Sequence, residues 1–390
     1  MISVSEALAA VLELGAPLDM EMVPLADADG RVLAQNVAAT RDQPPFSASA
    51  MDGYAISSIE AAEGDRFTVI GEAAAGHRFE GSVSDGDAVR IFTGAPLPKG
   101  AARVIIQEDV TRKGDEIILQ GSLDAGLHIR PSGGDFTIGT EMQAPRRLAP
   151  SDVALLASMN IANVPVRRKP IVAIIATGDE LVVAGETPRD DQIIASNALG
   201  LAAMFRNAGA TVRVLPIAKD SPSSLEMALQ LSDGADLLVT IGGASVGDHD
   251  IVAQVAGSMG LEREFYKVAM RPGKPLMAGR IGDMAMVGLP GNPVSSMVCG
   301  EVFIRPLLDR YLGLEAGPRA RQSYPLATPL GANAEREHYM RARLEHGKVT
   351  VFDRQDSSLL SVLSHANALI VRPPNDPNRK IGALVEVIAL

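Results

Sequence analysis

The stretch Asp236-Leu-Leu-Val-Thr-Ile-Gly-Gly-Ala-Ser-Val-Gly-Asp-His-Asp250 decides the fold class of this 390-residue chain. Its apolar, β-branched beginning predicts a buried strand, and the two glycines predict a turn in which a Cβ atom would clash. The polar residues after the glycines predict the start of a helix, whose free N–H groups form an anion pocket. Asp248 and Asp250 would repel an anion, so a cation is implied as well. The pattern therefore predicts a phosphorylated ligand held together with Mg²⁺.

Around this stretch, strand-like and helix-like segments alternate from residue 170 to residue 312. Short apolar runs predict strands, and Ser196, Ser221-Pro222 and Pro293 mark helix starts. The strands are predicted at residues 171–176, 212–215, 237–241, 264–269, 276–278 and 285–287. Such alternation is typical of an α/β domain with a mostly parallel sheet, in which ligands bind beyond the carboxyl ends of the strands.

The rest of the chain predicts further domains, so the fold class is α/β plus β, in several domains. Ser3 and Glu6 have capping-box spacing at the start of a helix over residues 3–14. A second helix, over residues 150–160 with Ser151 as its cap, is expected to return and pack on the first. The predicted domains are a small helical linking domain (1–25 and 146–168), an inserted β-rich domain (26–145), the central α/β domain (169–317) and a C-terminal β domain (318–390).

Composition excludes several classes of protein. The net charge of −11, the absence of Trp and the low aromatic content of 4% argue against a nucleic-acid partner. Cys299 is the only cysteine, which rules out an internal disulfide and a cysteine zinc site. No signal peptide is predicted, because the N-terminus lacks a basic region followed by an apolar core. No membrane span is predicted, because the longest uncharged run, residues 284–300, contains prolines and glycines. The expected location is the cytoplasm, without a membrane partner.

Four segments place polar residues directly after predicted strands of the α/β domain. They are residues 177–181, 242–250, 267–275 and 289–295. Taken alone, each has an ordinary explanation: Asp179 and Glu180 favour a helix start, and the cations of the third segment suit a solvated loop. Together they are expected to converge on one edge of the sheet. There carboxylates can hold a metal, and Lys267, Arg271 and Lys274 can hold a phosphate or another oxyanion.

Residues 243–247 also fit the G-x-S-x-G pattern that surrounds the nucleophile of serine hydrolases. His249 follows Ser245 too closely to act as a base from a separate loop, so this interpretation is the weaker one. In the β-rich part, residues 44–55 and 92–98 form two rigid loops, the first of which contains the tight turn Asp52-Gly53. Each loop is either structural or completes a cleft.

Six motifs, taken together, resemble those of the molybdopterin molybdenumtransferases, the bacterial relatives of the C-terminal domain of gephyrin. The motifs are Ser49-Ala-Met-Asp-Gly-Tyr-Ala55, Thr93-Gly-Ala-Pro96, Thr177-Gly-Asp-Glu-Leu181, Gly242 to Asp250, Arg271-Pro-Gly-Lys-Pro275 and Leu289-Pro-Gly-Asn-Pro-Val-Ser295. They occur in the family's order and span nearly the whole chain.

The resemblance implies a reaction between adenylated molybdopterin and molybdate in the presence of Mg²⁺. The adenylate is hydrolysed, AMP leaves, and molybdenum is placed on the dithiolene to give molybdenum cofactor. The resemblance also implies four domains and an elongated homodimer, with the cleft between the α/β domain of one subunit and the β-rich domain of the other. Molybdopterin adenylyltransferase and molybdoenzymes are the candidate protein partners.

The resemblance also assigns residues to roles. The catalytic set is Asp52, Thr93, Glu180, Asp220, Asp250, Lys267, Arg271 and Lys274, of which Glu180 and Asp250 would hold Mg²⁺. The ligand-binding set is Gly242, Gly243, Ser245, Gly247, Pro290, Gly291, Asn292 and Pro293, with Arg341 and Ser357 at positions that match molybdate contacts.

Three positions depart from the pattern found in many relatives. Ser47-Ala48 replaces Asp-Asn, Ala195 replaces Asp, and Arg271 replaces a frequent Lys while keeping the charge. The first two changes remove polar contacts but do not change the reaction class. The alternative function is a non-catalytic molybdopterin-binding or scaffolding protein, in which the charged residues at the strand ends would be dispensable.

Overall fold

The computed structural model of the protein describes residues 1–121, 123–243 and 251–390. The predicted site residues Ser245, Gly247 and Asp250 lie outside these ranges. The helices are α1 (Val4–Glu13), α2 (Pro150–Ser158), α3 (Asn197–Asn207), α4 (Pro222–Gln230), α5 (Ile251–Ser258), α6 (Pro293–Cys299), α7 (Arg305–Tyr311) and α8 (Leu360–His365). A π-helical stretch, Gly300–Ile304, joins α6 to α7. Among the described residues, no helix is long and apolar enough to cross a membrane.

The first 167 residues contain many short strands. These are β1 (Met20–Pro24), β2 (Val32–Leu33), β3 (Val37–Ala38), β4 (Ala48–Ser49), β5 (Gly53–Ile56), β6 (Arg66–Ala73), β7 (Asp87–Ile91), β8 (Arg103–Ile106), β9 (Val110–Lys113), β10 (Glu116–Leu119), β11 (Ile129–Arg130), β12 (Glu141–Met142), β13 (Arg146–Arg147) and β14 (Asn163–Arg167). The main sheet has the order β8-β5-β7-β6-β10-β9. Apolar side chains such as Ile56, Ile91 and Ile117 are buried on its faces, so this part of the chain is β-rich, as predicted.

The linking region differs from its prediction. Its strands form a sheet in the order β1-β14-β2-β13, so the two chain segments meet through strands and not through paired helices. The α1 side chains join the core of the α/β unit, whereas α2 packs in a separate core with Leu33 and Val166. The Ser3–Glu6 capping box of α1 is confirmed. Ser151 does not cap α2, because Ala149 occupies the N-cap and its N–H donates to Asp152.

The α/β unit is built on one sheet. Its strands and their neighbours are β15 (Ile171–Ala176), β16 (Leu181–Val182), β17 (Ile193–Ile194), β18 (Thr211–Val214), β19 (Leu237–Ile241), β20 (Leu261–Lys267), β21 (Met270–Arg271), β22 (Pro275–Ile281) and β23 (Met284–Leu289). The sheet order is β18-β15-β19-β23-β22-β20. The strands β18, β15, β19 and β23 are parallel, and β22 and β20 add an antiparallel edge. The predicted mostly parallel sheet is confirmed.

Side chains alternate between the two faces of this sheet, as the geometry of a strand requires. Ile174 and Val239 face a core shared with α1, α3, α6 and α7. Ile175 and Leu238 face a second core, shared with α4 and α5. Helices therefore cover both faces, which explains why β15 and β19 are apolar along their whole length. The helices cover the faces of the sheet and not the edge at which its parallel strands end, so a ligand can bind at that edge.

The C-terminal part is a second mostly β unit with the strands β24 (Gln322–Pro325), β25 (Glu337–Glu345), β26 (Lys348–Val351), β27 (Ala368–Arg372) and β28 (Leu384–Ala389). Its sheet has the order β21-β25-β27-β28-β24, with β26 paired to β25. For the basic segment 267–275, a solvated loop is the ordinary explanation. Instead, its residues Met270 and Arg271 form a parallel strand against Glu337 and His338. This strand fixes part of the basic segment against the C-terminal sheet. The boundaries of the four domains stay predictions.

Candidate active site at the carboxyl edge of the sheet

The polar segments of the α/β unit meet at one edge of its sheet. The parallel strands β18, β15, β19 and β23 all end there. Strand β20 ends there too, because it is antiparallel to β22, which is antiparallel to β23. The predicted convergence is confirmed for the described residues, which include the second segment only as far as Gly243.

A cavity of about 940 Å³ opens at this edge. Among the predicted site residues, those that line it are Glu180, Asp220, Gly242, Gly243, Pro290, Gly291, Asn292 and Pro293. Its volume lies near the upper end of the range of about 300–1,000 Å³ that ligand pockets occupy. The structure therefore brings most of the predicted residues of the α/β unit around one space large enough for an extended ligand.

Glu180 reaches the cavity because of a local turn after β15. Gly178 has a φ of +149°, and a Cβ atom at this position would lie 2.4 Å from the Glu180 carboxylate. The turn is tied to the next loop, since the Gly178 N–H donates to the carbonyl of Ala218 and the Asp220 N–H donates to Asp179. These contacts place the Glu180 and Asp220 carboxylates in the same cavity.

The floor of the cavity is formed by glycine backbone. Gly242 and Gly243 have φ values of +87° and +69°, in the left-handed region that favours glycine. A Cβ atom on Gly291 would lie 3.6 Å from the Gly242 Cα atom, so the loops after β19 and β23 approach closely. Bare backbone of this kind allows a phosphate to come near the N–H groups.

We expect Gly242→Ala to disturb this floor. A Cβ atom at this position would lie 2.8 Å from the Thr177 carbonyl oxygen, which cannot rotate away. The matched control is Gly260→Ala, since Gly260 has a similar φ of +91° but no atom within 4 Å of the added Cβ. Both variants carry the strain of a left-handed residue. In urea unfolding, Gly242→Ala should be less stable than the control by about 1–3 kcal/mol, the usual penalty for overpacking. Equal stability of the two variants would contradict this account.

Two residues that the sequence did not single out, Asn197 and Ser358, support the site. The Asn197 side-chain amide donates to the Gly291 carbonyl at 2.7 Å, which joins the start of α3 to the floor. Ser358 lines the cavity, whereas the predicted Ser357 accepts a hydrogen bond from the Asn292 side-chain amide at 3.1 Å. These contacts join residues that are far apart in the sequence, so no local pattern could have predicted them.

The three cations of the basic segment do not line the cavity, although Pro275 of the same segment does. Arg271 and Lys274 are exposed and Lys267 is half-buried. The Lys267 ammonium group lies 5.4 Å from the centre of the Tyr266 ring. None of the three cations forms an ion pair with a carboxylate in the part of the chain that the structure describes. They are available to an anion at the junction between the α/β and C-terminal units.

Further guanidinium groups surround this junction. Burial lowers the pKa of His338 to about 4, and neighbouring arginines add to the effect: Arg271, Arg372, Arg341 and Arg336. The ring is therefore neutral at neutral pH, and the surrounding potential is positive. Such a potential favours an oxyanion over a cation.

Arg341 itself is buried, with 1% of its surface exposed. Its guanidinium donates to the Asp356 carbonyl at 2.6 Å and to the Gln355 side chain. These bonds hold the loop that carries Ser357 and Ser358. A molybdate contact by Arg341 stays a prediction, and the structure adds a role in positioning this loop.

Asp52 and Thr93 lie in the β-rich unit and are not among the described residues that line the cavity. The Thr93 N–H and its hydroxyl both donate to the same Asp52 oxygen, each at 2.7 Å. The backbone bond and then the hydroxyl bond hold the pKa of Asp52 below its usual value, so the group is a carboxylate at neutral pH. Arg90 lies nearby between the rings of Tyr54 and Phe92.

The cavity residues fit Mg²⁺ bound together with a phosphorylated ligand. Within the described ranges there is no group of three or more His, Cys, Asp or Glu side chains placed to hold a metal by themselves. Glu180 and Asp220 nevertheless line the same space. In phosphate sites, Mg²⁺ takes one or two carboxylates and completes its shell with water and phosphate oxygens.

The fold and the site define the class of protein: an α/β ligand-binding protein with its cavity at the carboxyl edge of the sheet, extended by β-rich units on both sides. The comparisons with known proteins agree. Family profiles match residues 2–160 as "MoeA N-terminal region (domain I and II)", 173–310 as "Probable molybdopterin binding domain" and 323–390 as "MoeA C-terminal region (domain IV)".

Similar proteins cover nearly the full length. The chain is 34% identical to molybdopterin molybdenumtransferase 2 of Mycobacterium tuberculosis over 94% of both chains. It is 32% identical to molybdopterin molybdenumtransferase of Bacillus subtilis, over 100% of this chain and 94% of the relative. A crystal structure of the molybdopterin biosynthesis MoeA protein from Pyrococcus horikoshii matches with a TM-score of 0.86 and 27% identity, over 100% of both chains. The chain belongs to the molybdopterin molybdenumtransferase family.

Proposed function

We propose that the protein inserts molybdenum into adenylated molybdopterin, with release of AMP, to form molybdenum cofactor. The observation that carries the proposal is the cavity in which Glu180, Asp220 and the glycine floor meet beside a cluster of cations. Family membership at 34% identity supports the same reaction and favours a transferase over a serine hydrolase built on Ser245.

The floor of the cavity is suited to the phosphates that join molybdopterin to AMP. Backbone N–H groups near Gly242 and Gly291 would bind and orient their oxygens. Glu180 and Asp250 would hold Mg²⁺, and Asp220, which lines the same cavity as Glu180, is a further carboxylate there. When bound, Mg²⁺ neutralises phosphate charge and so favours cleavage of the phosphoanhydride bond. The protein's own contribution is to position this bond for attack by water.

The positive junction is suited to molybdate, which is a substrate and carries two negative charges. Lys267, Arg271 and Lys274 would bind its oxygens, and Arg341 and Ser357 are the further predicted contacts. Arg271 lies on a strand, which fixes its backbone at the junction, and Arg341 is buried in the C-terminal sheet. Preorganised charge of this kind stabilises a transition state at little reorganisation cost.

The remaining predictions concern the assembly. In our proposal the protein is a homodimer in the cytoplasm, and Asp52 and Thr93 of one subunit complete the cleft of the other. The position of this pair outside the cavity lining of its own chain supports that arrangement. Molybdopterin adenylyltransferase and molybdoenzymes are the proposed protein partners, as supplier of the adenylated substrate and as acceptors of the cofactor.

The proposal is tested by supplying purified protein with adenylated molybdopterin, Mg²⁺ and molybdate. We expect AMP release that depends on molybdate and the appearance of active cofactor. AMP is quantified by chromatography, and the cofactor is measured by reconstitution of a molybdoenzyme. Folded protein that binds molybdopterin without releasing AMP would instead support the non-catalytic binding function.

A further inference from the structure

The cavity has one apolar wall that phosphate and metal binding do not use. The wall is the parallel pair β16–β17, in which Leu181 lies opposite Ile193 and Val182 opposite Ile194. Leu181, Ile193 and Ile194 line the cavity. Ile193 is 58% exposed and Ile194 is 37% exposed. A single exposed apolar residue needs no explanation, but Leu181 and Ile193 are paired across the two strands and so share one face, which indicates a surface that a ligand covers.

The wall is held in place relative to the floor. The Ile193 N–H donates to the Glu180 carbonyl at 2.8 Å, and the Ala195 N–H donates to the Val182 carbonyl at 2.9 Å. Three residues after this strand, Asn197 is bonded to the Gly291 carbonyl. One end of the wall is therefore tied to the turn that carries the Glu180 carboxylate and the other to the glycine floor. Its apolar side chains keep a fixed position beside the polar groups.

We propose that the β16–β17 wall binds a flat heterocyclic ring of the substrate, through apolar contact with Leu181 and Ile193, while the floor binds the phosphates. This inference rests on the proposed function. Adenylated molybdopterin has such a ring at each end, adenine at one and the pterin at the other, with the phosphates between them. Since Glu180 directly precedes Leu181, one ligand can contact the wall and the carboxylate at once. Apolar walls with a few placed polar groups are the usual design of small-molecule sites.

The test compares the double variant Leu181→Ala, Ile193→Ala with the control Val183→Ala. Val183 belongs to the same connection, is 55% exposed and does not line the cavity. Binding is measured by calorimetry for AMP, for molybdopterin under anaerobic conditions, and for inorganic pyrophosphate, which has no ring. In the double variant we expect the Kd of a ring-bearing ligand to rise on the order of tenfold, because apolar surface that the ligand covers is lost. The Kd of pyrophosphate and the binding to Val183→Ala should match the wild type.

The outcomes are distinguishable. Weaker binding of AMP alone assigns the wall to adenine, and weaker binding of molybdopterin alone assigns it to the pterin. Unchanged Kd values for both ligands would overturn the inference, as would an equal loss for pyrophosphate, since that loss would not depend on a ring. If the wild-type protein binds none of the three ligands, the proposed function itself fails.

Discussion

Glu180→Gln is expected to reduce AMP release by a factor on the order of 10²–10³, the usual loss when one charged group that stabilises a transition state is removed. The substitution keeps the size of the side chain and removes its charge. The Gly178 turn should tolerate it, since the replaced oxygen becomes a nitrogen of similar radius. The structure supports a large effect because Glu180 lines the cavity, directly after the turn at Gly178.

The measurement is AMP release as a function of Mg²⁺ concentration. If Glu180 holds Mg²⁺, the variant should require more Mg²⁺ for half-maximal rate as well as showing a lower maximum. The matched control is Glu186→Gln, which lies in the same connection, is exposed and does not line the cavity. Wild-type AMP release by Glu180→Gln would remove Glu180 from the catalytic set. A lower maximum with an unchanged Mg²⁺ requirement would assign it a role other than metal binding.

The fold of the α/β unit could be predicted from sequence because its strands are short apolar runs between clear helix signals. The predicted strand at 237–241 coincides with β19, and that at 171–176 coincides with β15. A strand that is buried on both faces needs apolar side chains along its whole length. Burial therefore produces the same apolar run from which the strand is predicted. The edge at which the polar segments meet was predictable for the same reason, since residues that follow parallel strands must lie at one edge of the sheet, whereas the roles of the individual residues stay predictions.

Other strands could not be predicted, because their own sequences lack a strand-like pattern. Strand β14 contains Pro165, which normally argues against a strand, and β1 shows the exposed methionines Met20 and Met22. These strands exist because they pair with each other across more than a hundred residues of sequence. Likewise β16 and β17 have two residues each, too few to show a periodicity. The apolar wall of the cavity could therefore not be predicted from the sequence.

Asp52→Ala is expected to lower AMP release by a factor on the order of 10² or more, as for loss of a group that moves or orients a proton. The fold should persist, because Asp52 is half-buried and its side-chain bonds are to the exposed Thr93. The control is Asp85→Ala, an exposed carboxylate of the same β-rich unit. Thr93→Val should have a smaller effect, since it removes the hydroxyl donor but keeps the backbone N–H bond. Wild-type AMP release by Asp52→Ala would exclude Asp52 from catalysis.

Mixing Asp52→Ala with Glu180→Gln decides whether the two residues act in one cleft across the dimer. In a mixed dimer, a shared cleft would place both substitutions in one site and leave the other site intact. Random re-association gives about half mixed dimers, each with one of two sites intact, so about a quarter of wild-type activity should return. If Asp52 and Glu180 of the same subunit formed the site, every cleft would carry one substitution and no activity would return. Co-purification of both variants through an affinity tag carried by only one of them confirms that mixed dimers have formed, so an inactive mixture would then contradict the cleft between subunits.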